Sequence, residues 1–261
     1  MPIITLTSDW SKDDFYVGAV KGAIYSAVNS VNVVDITHNI TPFNITQAAF
    51  VLSNSYKYFP KGSVHIIGVM SESNSENKYL AVKYDDQFFL SADNGIFSLL
   101  FKDKAELIYK INVTDEITTF PTLSVLVKSA CSLVQNADLN LIGEQVTEYK
   151  RFVPYRPTID NSQISGRIIY IDSFMNVITN VSRDLFYRIG QERSFSIFIQ
   201  SNKYVIKKIN KTYQETSQGE LLALFNSANL LEIAINGGDV AKLLNIDTNS
   251  TIRINFYNKK I

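Results

Sequence analysis

Residues 64–70, VHIIGVM, decide the fold of the N-terminal part of this chain. A run of seven residues with one polar side chain, His65, is typical of a strand that is buried on both faces of a sheet. On either side of it, strand patterns alternate with helix patterns: strands at 3–7, 32–36, 79–84, 87–92 and 105–111, and helices at 15–28, 45–58 and 123–134. This alternation predicts an α/β domain with a largely parallel sheet.

The pattern changes near residue 151. Residues 151–166, RFVPYRPTIDNSQISG, contain two prolines and a polar tail, which is typical of an extended linker. The rest of the chain is a series of short strand patterns, with one helix expected around 239–244: GRIIYID, NVITNV, SFSIFIQ, KYVIKKI, ELLALFN, LLEIAI and TIRINFY. Such a series predicts a small all-β domain, barrel-like or a sandwich. We therefore predict an α/β domain over 1–155, a linker over 156–165 and a barrel-like domain over 166–261.

The composition narrows the class of protein. The chain has 261 residues, of which 46% are hydrophobic, and this excludes a disordered chain. Its 25 basic and 25 acidic residues give no net charge, so neither nucleic acid nor a membrane surface is an expected partner. No apolar run is long enough to cross a membrane, and no basic segment precedes an apolar run at the N-terminus. We expect a cytoplasmic protein.

Few residues are available for metal or nucleophilic chemistry. Cys131 is the single cysteine, which excludes an internal disulfide and a cysteine-based zinc site. His38 and His65 are the two histidines, and no arginine precedes Arg151. We predict no metal site.

Polar clusters follow four of the predicted strands. They are Ser8-Asp9, residues 35–38 (DITH), residues 71–77, and residues 91–95 (SADNG). Open α/β sheets bind ligands at the carboxyl ends of their strands, so one crevice can collect all four. Each cluster is also compatible with an ordinary turn, because Asp, Asn, Ser and Gly fill turns for local reasons.

Six motifs in sequence order resemble the S-adenosyl-L-methionine (SAM) hydroxide adenosyltransferase family. That family comprises adenosine-forming SAM hydrolases and is related to fluorinases and chlorinases. The motifs are SDWSKDDFYVGAVKGAI (8–24), VVDITHNITPFNITQAAFVL (33–52), YFPKGSVHIIGV (58–69), SADNGIFSLL (91–100), YIDSFMNVITNV (170–181) and LLALFNSANLLEIAINGGDVAKLL (221–244). The resemblance implies an N-terminal α/β domain and a C-terminal β-barrel.

The resemblance also implies an activity and an assembly. Water would displace methionine at the ribose 5′ carbon of SAM, giving adenosine and L-methionine without a cofactor. The protein would be a homotrimer that binds its adenosyl ligand between the N-terminal domain of one subunit and the C-terminal domain of the next.

Substrate-binding residues follow from the motif matches. Asp9 matches the residue that binds both ribose hydroxyls, and Asp14 the second acid of that loop. Asp172 matches the carboxylate that faces the methionine ammonium group. The remaining matches are to the adenine and methionine carboxylate contacts: Phe174, Asn176, Asn236 and Gly237 for adenine, and Ser227 for the carboxylate. Glu232 falls in the barrel with a structural role.

Some of these residues have simpler interpretations. Phe174 fits the core of the barrel equally well, and Asp172 with Asn176 fits the cap of a hairpin, with Met175 where the family usually has glycine. We interpret His38 as a hydrogen-bonded structural residue and His65 as a satisfied core histidine.

The residues expected to act on water differ from the family pattern. Family hydrolases have Asp-Pro-Gly-Val-Gly after the strand that corresponds to residues 65–69 (HIIGV). An arginine follows a few residues later, and a histidine lies within a Phe-His-Gly-Arg-Asp segment. Here residues 70–74 read MSESN, the arginine position falls at Asn77 or Lys78, and Phe120 precedes Pro121. The substitute candidates for the catalytic water site are Glu72, Ser73 and Lys78.

Three hypotheses follow. The protein is a SAM hydrolase with an altered water site, an adenosyl-binding sensor or buffer without turnover, or a purely structural homologue that binds no ligand. Alignment and desolvation lower the barrier without a base, whereas a base typically adds 10²–10⁴-fold in rate.

Overall fold

The computed structural model describes residues 1–72, 78–101, 105–113 and 119–258. Contacts within the chain divide it into two units, Met1–Pro154 and Tyr155–Ile261. Part of the stretch expected to be a linker, 156–165, lies in two strands of the second unit.

A seven-stranded sheet forms the centre of the first unit. Its strands are β1 (Ile3–Ser8), β2 (Asn32–Thr37), β3 (Val64–Gly68), β4 (Tyr79–Tyr84), β5 (Gln87–Ala92), β6 (Leu107–Ile111) and β7 (Gly143–Val146), in the spatial order β2-β1-β3-β5-β4-β6-β7. The first four in that order are parallel, whereas the pairs β5–β4, β4–β6 and β6–β7 are antiparallel. The α/β class is confirmed, and the parallel part of the sheet comprises four strands.

Strand β3 is buried on both faces, as its sequence predicts. Its Val64 and Ile66 belong to one hydrophobic core, together with Ile24 from the helix that follows β1. Ile67 belongs to a second core, together with Leu52 from the helix that follows β2. Helices therefore cover both faces of the sheet, and the carboxyl ends of its parallel strands lie at one edge.

Three of the four helices described in the first unit lie close to their predicted positions, whereas the third along the chain, a helix of five residues, was not predicted. The four helices are α1 (Phe15–Ala27), α2 (Ile45–Ser55), α3 (Ile96–Leu100) and α4 (Val127–Asn136), with a π-helical turn at Thr122–Leu126 and 3₁₀ turns at Tyr56–Tyr58 and Leu139–Leu141. Asn44 caps α2, because its side chain accepts a hydrogen bond from the backbone N–H of Gln47 at 2.9 Å. Among the described residues, no helix is both long and apolar enough to span a bilayer.

The second unit is an antiparallel sheet that nearly closes into a barrel. Its strands are β8 (Thr158–Ile159), β9 (Gln163–Ile171), β10 (Val177–Ser182), β11 (Ser194–Ile199), β12 (Ser201–Ile206), β13 (Leu221–Phe225), β14 (Leu230–Ile235) and β15 (Thr251–Tyr257). The order is β12-β11-β15-β9-β10-β14-β13, and β8 pairs with β9. Asn210, after β12, forms a bridge with Leu224 of β13, which brings the two ends of the sheet together. The all-β, barrel-like prediction is confirmed.

The second unit has two α-helices where the sequence predicts one. The expected helix is α6 (Val240–Leu243), and the additional one is α5 (Arg183–Gly190), which directly follows β10; a 3₁₀ turn lies at Tyr213–Glu215. The Ser182 hydroxyl caps α5 by accepting from the Leu185 N–H at 3.2 Å, and Phe186 is buried. The expectation of a single helix was wrong. Helix α5 has about two turns and two buried residues, which are too few for a helical period to be recognised in the sequence.

Candidate functional site

Three of the four polar clusters meet at one edge of the first unit's sheet, beside the end of β3; residues 73–77 of the fourth lie outside the described part of the chain. The Ser8 hydroxyl is hydrogen-bonded to Nδ1 of His38 at 2.7 Å, which joins the ends of β1 and β2. The Asn94 amide donates to the backbone oxygens of Val69 and Met70 at 3.1 Å each, which joins the ends of β5 and β3. This arrangement follows from the parallel strands, whose carboxyl ends share an edge.

Asp9 lies at this edge with part of its carboxylate already used. Its Oδ2 accepts a hydrogen bond from the backbone N–H of Phe43 at 2.9 Å, which fixes the side chain. A carboxylate has about four lone-pair positions, so acceptor capacity remains for a diol. Asp14 precedes α1 as its N-cap residue without a side-chain cap hydrogen bond, and it is exposed.

His38 is a buried structural residue, as expected. Its Nε2 lies 3.1 Å from Oδ1 of Asp35, within ion-pair distance but not aligned for a hydrogen bond. Lys21 also contacts Asp35, at 2.6 Å. Partial burial opposes ionisation of Asp35, but the contacts with Lys21 and His38 outweigh it and hold the pKa of this carboxyl below its ordinary value. The chain Lys21–Asp35–His38–Ser8 therefore fixes the two strand ends.

An aromatic cluster of Trp10, His38 and Phe120 lies beside this edge of the sheet, and the sequence did not predict it. Trp10 stacks on His38 with ring centroids 6.2 Å apart and meets the ring of Phe120 edge-on at 5.1 Å. A Cβ atom on Gly68 would come within 2.3 Å of the Trp10 ring, so the glycine that ends β3 makes room for it. The sequence feature that indicates this contact is Gly68, the one residue of β3 without a side chain, because it leaves space for a neighbouring ring.

The loop after β3 contains the candidate water-site residues. Met70 has a left-handed backbone, φ 48°, and the Ser71 hydroxyl accepts from the Thr122 hydroxyl at 3.1 Å. Glu72 and Lys78 are exposed. Ser73 lies outside the described residues, so its proposed role stays a prediction, as do those of Glu72 and Lys78.

The loop of residues 172–176 in the second unit is held by the Asp172 carboxylate. Its Oδ1 accepts from the backbone N–H groups of Phe174 and Asn176 at 2.9 and 2.8 Å, and its Oδ2 accepts from the Asn176 amide at 3.1 Å. Met175 has φ 62°, in the region that favours the family's glycine. Asp172 thus caps this hairpin, and this bonding leaves lone pairs for a cation.

Phe174 is not a core residue. Its side chain is 75% exposed, and it lines a cavity of about 510 Å³ on the second unit. The interpretation of Phe174 as barrel core is therefore wrong, because the capped loop turns the side chain away from the barrel interior. An exposed aromatic ring at a cavity is suited to stacking on a planar base.

Three further residues expected to contact adenine line the same cavity: Asn176, Asn236 and Gly237. The Asn236 amide donates to the Thr216 carbonyl at 2.7 Å, which fixes the turn after β14. Gly237 has φ 70°, a conformation that an L-residue rarely adopts. The structure therefore brings Phe174, Asn176, Asn236 and Gly237 together at one cavity.

Tyr213 also lines this cavity, and sequence reasoning did not identify it. Its hydroxyl donates to Oε1 of Glu232 at 2.5 Å, and the Asn226 amide donates to Oε2 at 3.1 Å. Burial, reinforced by the hydrogen bond to Glu232, raises the pKa of the Tyr213 phenol above its ordinary value. Glu232 is 3% exposed, and its carboxylate links the cavity wall to the turn that carries the exposed Ser227.

Each of these two sets of side chains offers groups that suit a part of a nucleoside or of an amino acid. Carboxylate acceptors suit ribose hydroxyls and an ammonium group, and amide and aromatic side chains suit a purine. Among the described residues, no group of three or more histidine, cysteine or acidic side chains is placed to hold a metal ion.

Comparisons with known proteins agree with this chemistry. The SAM hydroxide adenosyltransferase N-terminal domain model matches residues 4–143, and the C-terminal domain model of the same family matches residues 166–253. The chain is 30% identical to the (R)-S-adenosyl-L-methionine hydrolase of Methanocaldococcus jannaschii, over 97% of this chain and 96% of that protein. It is 22% identical to a fluorinase of Actinopolyspora mzabensis, over 97% of each chain.

A solved structure has the same fold over nearly the whole chain. An uncharacterized conserved protein from Thermotoga maritima superposes with a TM-score of 0.87 at 27% identity, covering 97% of this chain and 99% of that one. Both domain models, in the order that the motifs predict, cover most of the sequence. The chain belongs to the SAM hydroxide adenosyltransferase family.

Proposed function

We propose that this protein hydrolyses SAM to adenosine and L-methionine. The observation that carries the proposal is the full-length similarity to a SAM hydrolase, together with a cavity on the second unit lined by Phe174, Asn176, Asn236 and Gly237. Membership of the family is compatible with halide as nucleophile as well, so the nucleophile is part of the proposal.

The reaction is a displacement at the ribose 5′ carbon. A water oxygen bonds to C5′, the C5′–S bond breaks with its electron pair going to sulfur, and the water releases one proton. Methionine leaves as a neutral thioether, so the leaving group needs no acid. Alignment of the water and its removal from bulk solvent supply several kcal/mol of barrier lowering.

Each site residue has a role in this proposal. Asp9 binds the ribose hydroxyls, with Asp14 as the second acid of that loop, and Asp172 faces the ammonium group of methionine. Ser227 binds the methionine carboxylate. Glu72, Ser73 and Lys78 are the proposed water-site residues. We also propose a homotrimer whose sites take residues from neighbouring subunits.

The Asp9→Ala variant tests this assignment. We expect purified protein incubated with SAM to release adenosine and methionine above a blank without protein, and the variant to lose most of that release. Asp13→Ala is the matched control, because Asp13 is an exposed neighbouring carboxylate with no assigned role. Unchanged adenosine release by Asp9→Ala would contradict the site.

The nucleophile is identified in the same experiment. In ¹⁸O-labelled water, hydrolysis places the label in the 5′-hydroxyl of adenosine, whereas a sample with excess chloride would give 5′-chloro-5′-deoxyadenosine if halide were the nucleophile. Saturable SAM binding with no product would favour the second candidate, an adenosyl-binding protein without turnover. The observation that favours it is Pro121, which follows Phe120 at the position where the family pattern has the histidine of Phe-His-Gly. Pro121 directly precedes the π-helical turn.

A further inference from the structure

A second cavity lies on the second unit, lined by other residues than the cavity of Phe174. It has a volume of about 350 Å³, and Arg156, Arg167 and Arg253 line it together with serine, threonine, asparagine and glutamine side chains. None of the described residues that line it is acidic. Three of the seven arginines of a chain without net charge are thus gathered at one cavity.

The strand register explains how the arginines come together. Arg167 of β9 pairs with Thr251 of β15, and Arg253 pairs with Ser165. The two arginines therefore lie diagonally on the same face of adjacent strands, where Cα atoms are about 7–8 Å apart. The neighbours Ile164, Ile168 and Ile252 face the core, so the arginines face outward. This spacing lets two long side chains reach one ligand.

An aromatic ring lies against each of two guanidinium groups. The Arg167 guanidinium lies over the Tyr155 ring at 4.0 Å, and the Asn180 side chain joins the two backbones by accepting from the backbone N–H of Arg167 and donating to the Tyr155 carbonyl. The Arg253 guanidinium lies over the Phe198 ring at 4.9 Å, and its Nη2 donates to Oδ1 of Asn202 at 2.6 Å. Such rings and amides orient a cation without neutralising it.

No acidic side chain among the described residues forms an ion pair with these arginines. In the described part of the chain, the ion pairs involve lysine and histidine, and none involves these three arginines. Nε of Arg253 is buried without a hydrogen-bond partner among the described residues. Like charges repel, and a buried donor without an acceptor is unfavourable. A bound oxyanion would relieve the repulsion between the guanidinium groups.

We infer that this cavity binds a dianionic phosphoryl group, as inorganic phosphate or as the phosphate of a small ester. Arginine forks match phosphate oxygens bidentately, and the neighbouring hydroxyl and amide groups are further donors. The site shares no lining residue with the cavity of Phe174. The inference does not depend on SAM hydrolysis.

The test is isothermal titration of the full-length protein at constant ionic strength, with inorganic phosphate, glycerol 3-phosphate and chloride as separate ligands. We expect saturable binding of at least one phosphate ligand and none of chloride. Arg167→Gln and Arg253→Gln should each weaken binding at least tenfold, and tighter binding of one ligand distinguishes the free anion from the ester.

Arg188→Gln is the matched control, because Arg188 is exposed and lines a different cavity. Circular dichroism checks folding, and if the two strand variants do not fold, Arg156→Gln replaces them because Arg156 is exposed and precedes β8. Absence of saturable phosphate binding would overturn the inference, as would equal binding by the arginine variants. A change of oligomeric state in the variants without phosphate binding would overturn it as well and would assign the arginines to an interface between copies.

Discussion

At the scale of single residues, His65 shows how burial fixes a protonation state. Its Nε2 is 2.8 Å from Oε1 of Gln87 and its Nδ1 is 2.7 Å from the Thr5 hydroxyl. Since a glutamine oxygen only accepts, Nε2 carries the proton and Nδ1 accepts from Thr5. The expectation of a satisfied core histidine is confirmed. Desolvation by burial lowers the pKa of His65 to about 4, despite the opposing hydrogen bond with Gln87.

This pKa predicts a loss of stability in mild acid. The folded protein keeps His65 neutral down to about pH 4, whereas the unfolded chain protonates it near pH 6.5. The stabilisation is therefore complete above pH 6.5 and falls as the pH drops toward 4, by at most about 3 kcal/mol. Denaturant unfolding between pH 7.5 and pH 4 measures this slope. His65→Gln should flatten it, and an equal slope in the variant would contradict the assignment.

Phe174→Ala separates binding from stability. Because the ring is 75% exposed, we expect the free energy of unfolding to change by less than about 0.5 kcal/mol. Loss of stacking should weaken adenosine binding by about 1–3 kcal/mol, the range measured for base–aromatic contacts. Titration calorimetry and denaturant unfolding measure the two quantities. Tyr58→Ala, at an exposed ring of the first unit, is the control, and equal binding by Phe174→Ala would remove Phe174 from the site.

At the scale of elements, a buried carboxylate joins the 3₁₀ turn Tyr213–Glu215 to β14. The hydrogen bond from the Tyr213 hydroxyl to the Glu232 carboxylate holds the turn against the strand and so shapes the wall of the Phe174 cavity. A buried carboxylate that loses a donor destabilises the protein by about 1–3 kcal/mol.

Tyr213→Phe should therefore lower both the stability and the adenosine affinity, measured by denaturant unfolding and by titration calorimetry. Tyr187→Phe removes a hydroxyl from an exposed ring on α5 and should change neither. If Tyr213→Phe changes neither quantity, the hydrogen bond does not support the cavity.

At the scale of the whole molecule, ligand binding should increase the stability of the folded protein. A ligand that binds only the folded protein adds about 2.7 kcal/mol at a concentration of 100 times its Kd. We expect adenosine to raise the melting temperature of the wild type in a concentration-dependent way, and inosine, with an altered base edge, to raise it less. Differential scanning fluorimetry measures both. No shift at any adenosine concentration would support the hypothesis of a homologue that binds no adenosyl ligand.

The sequence by itself determined the two-part architecture and the family. Hydrophobic periodicity is a local property, so residues 64–70 indicate a doubly buried strand, and the short runs after residue 166 indicate a small antiparallel barrel or sandwich. The buried strand and a barrel-like sheet are observed. Helix α5 was not predicted, because its two turns contain too few buried apolar residues to show a helical repeat.

Only the tertiary structure decided which side chains meet. Trp10 packs over Gly68, Tyr213 reaches Glu232, and Arg167 lies diagonally to Arg253 across a strand pair. Each of these contacts depends on strand register or on a turn that places distant residues together, and register is set by the packing of the whole sheet. Phe174 is the clearest case, since its sequence fits a core position, and the Asp172 hydrogen bonds of its loop place it at the cavity instead.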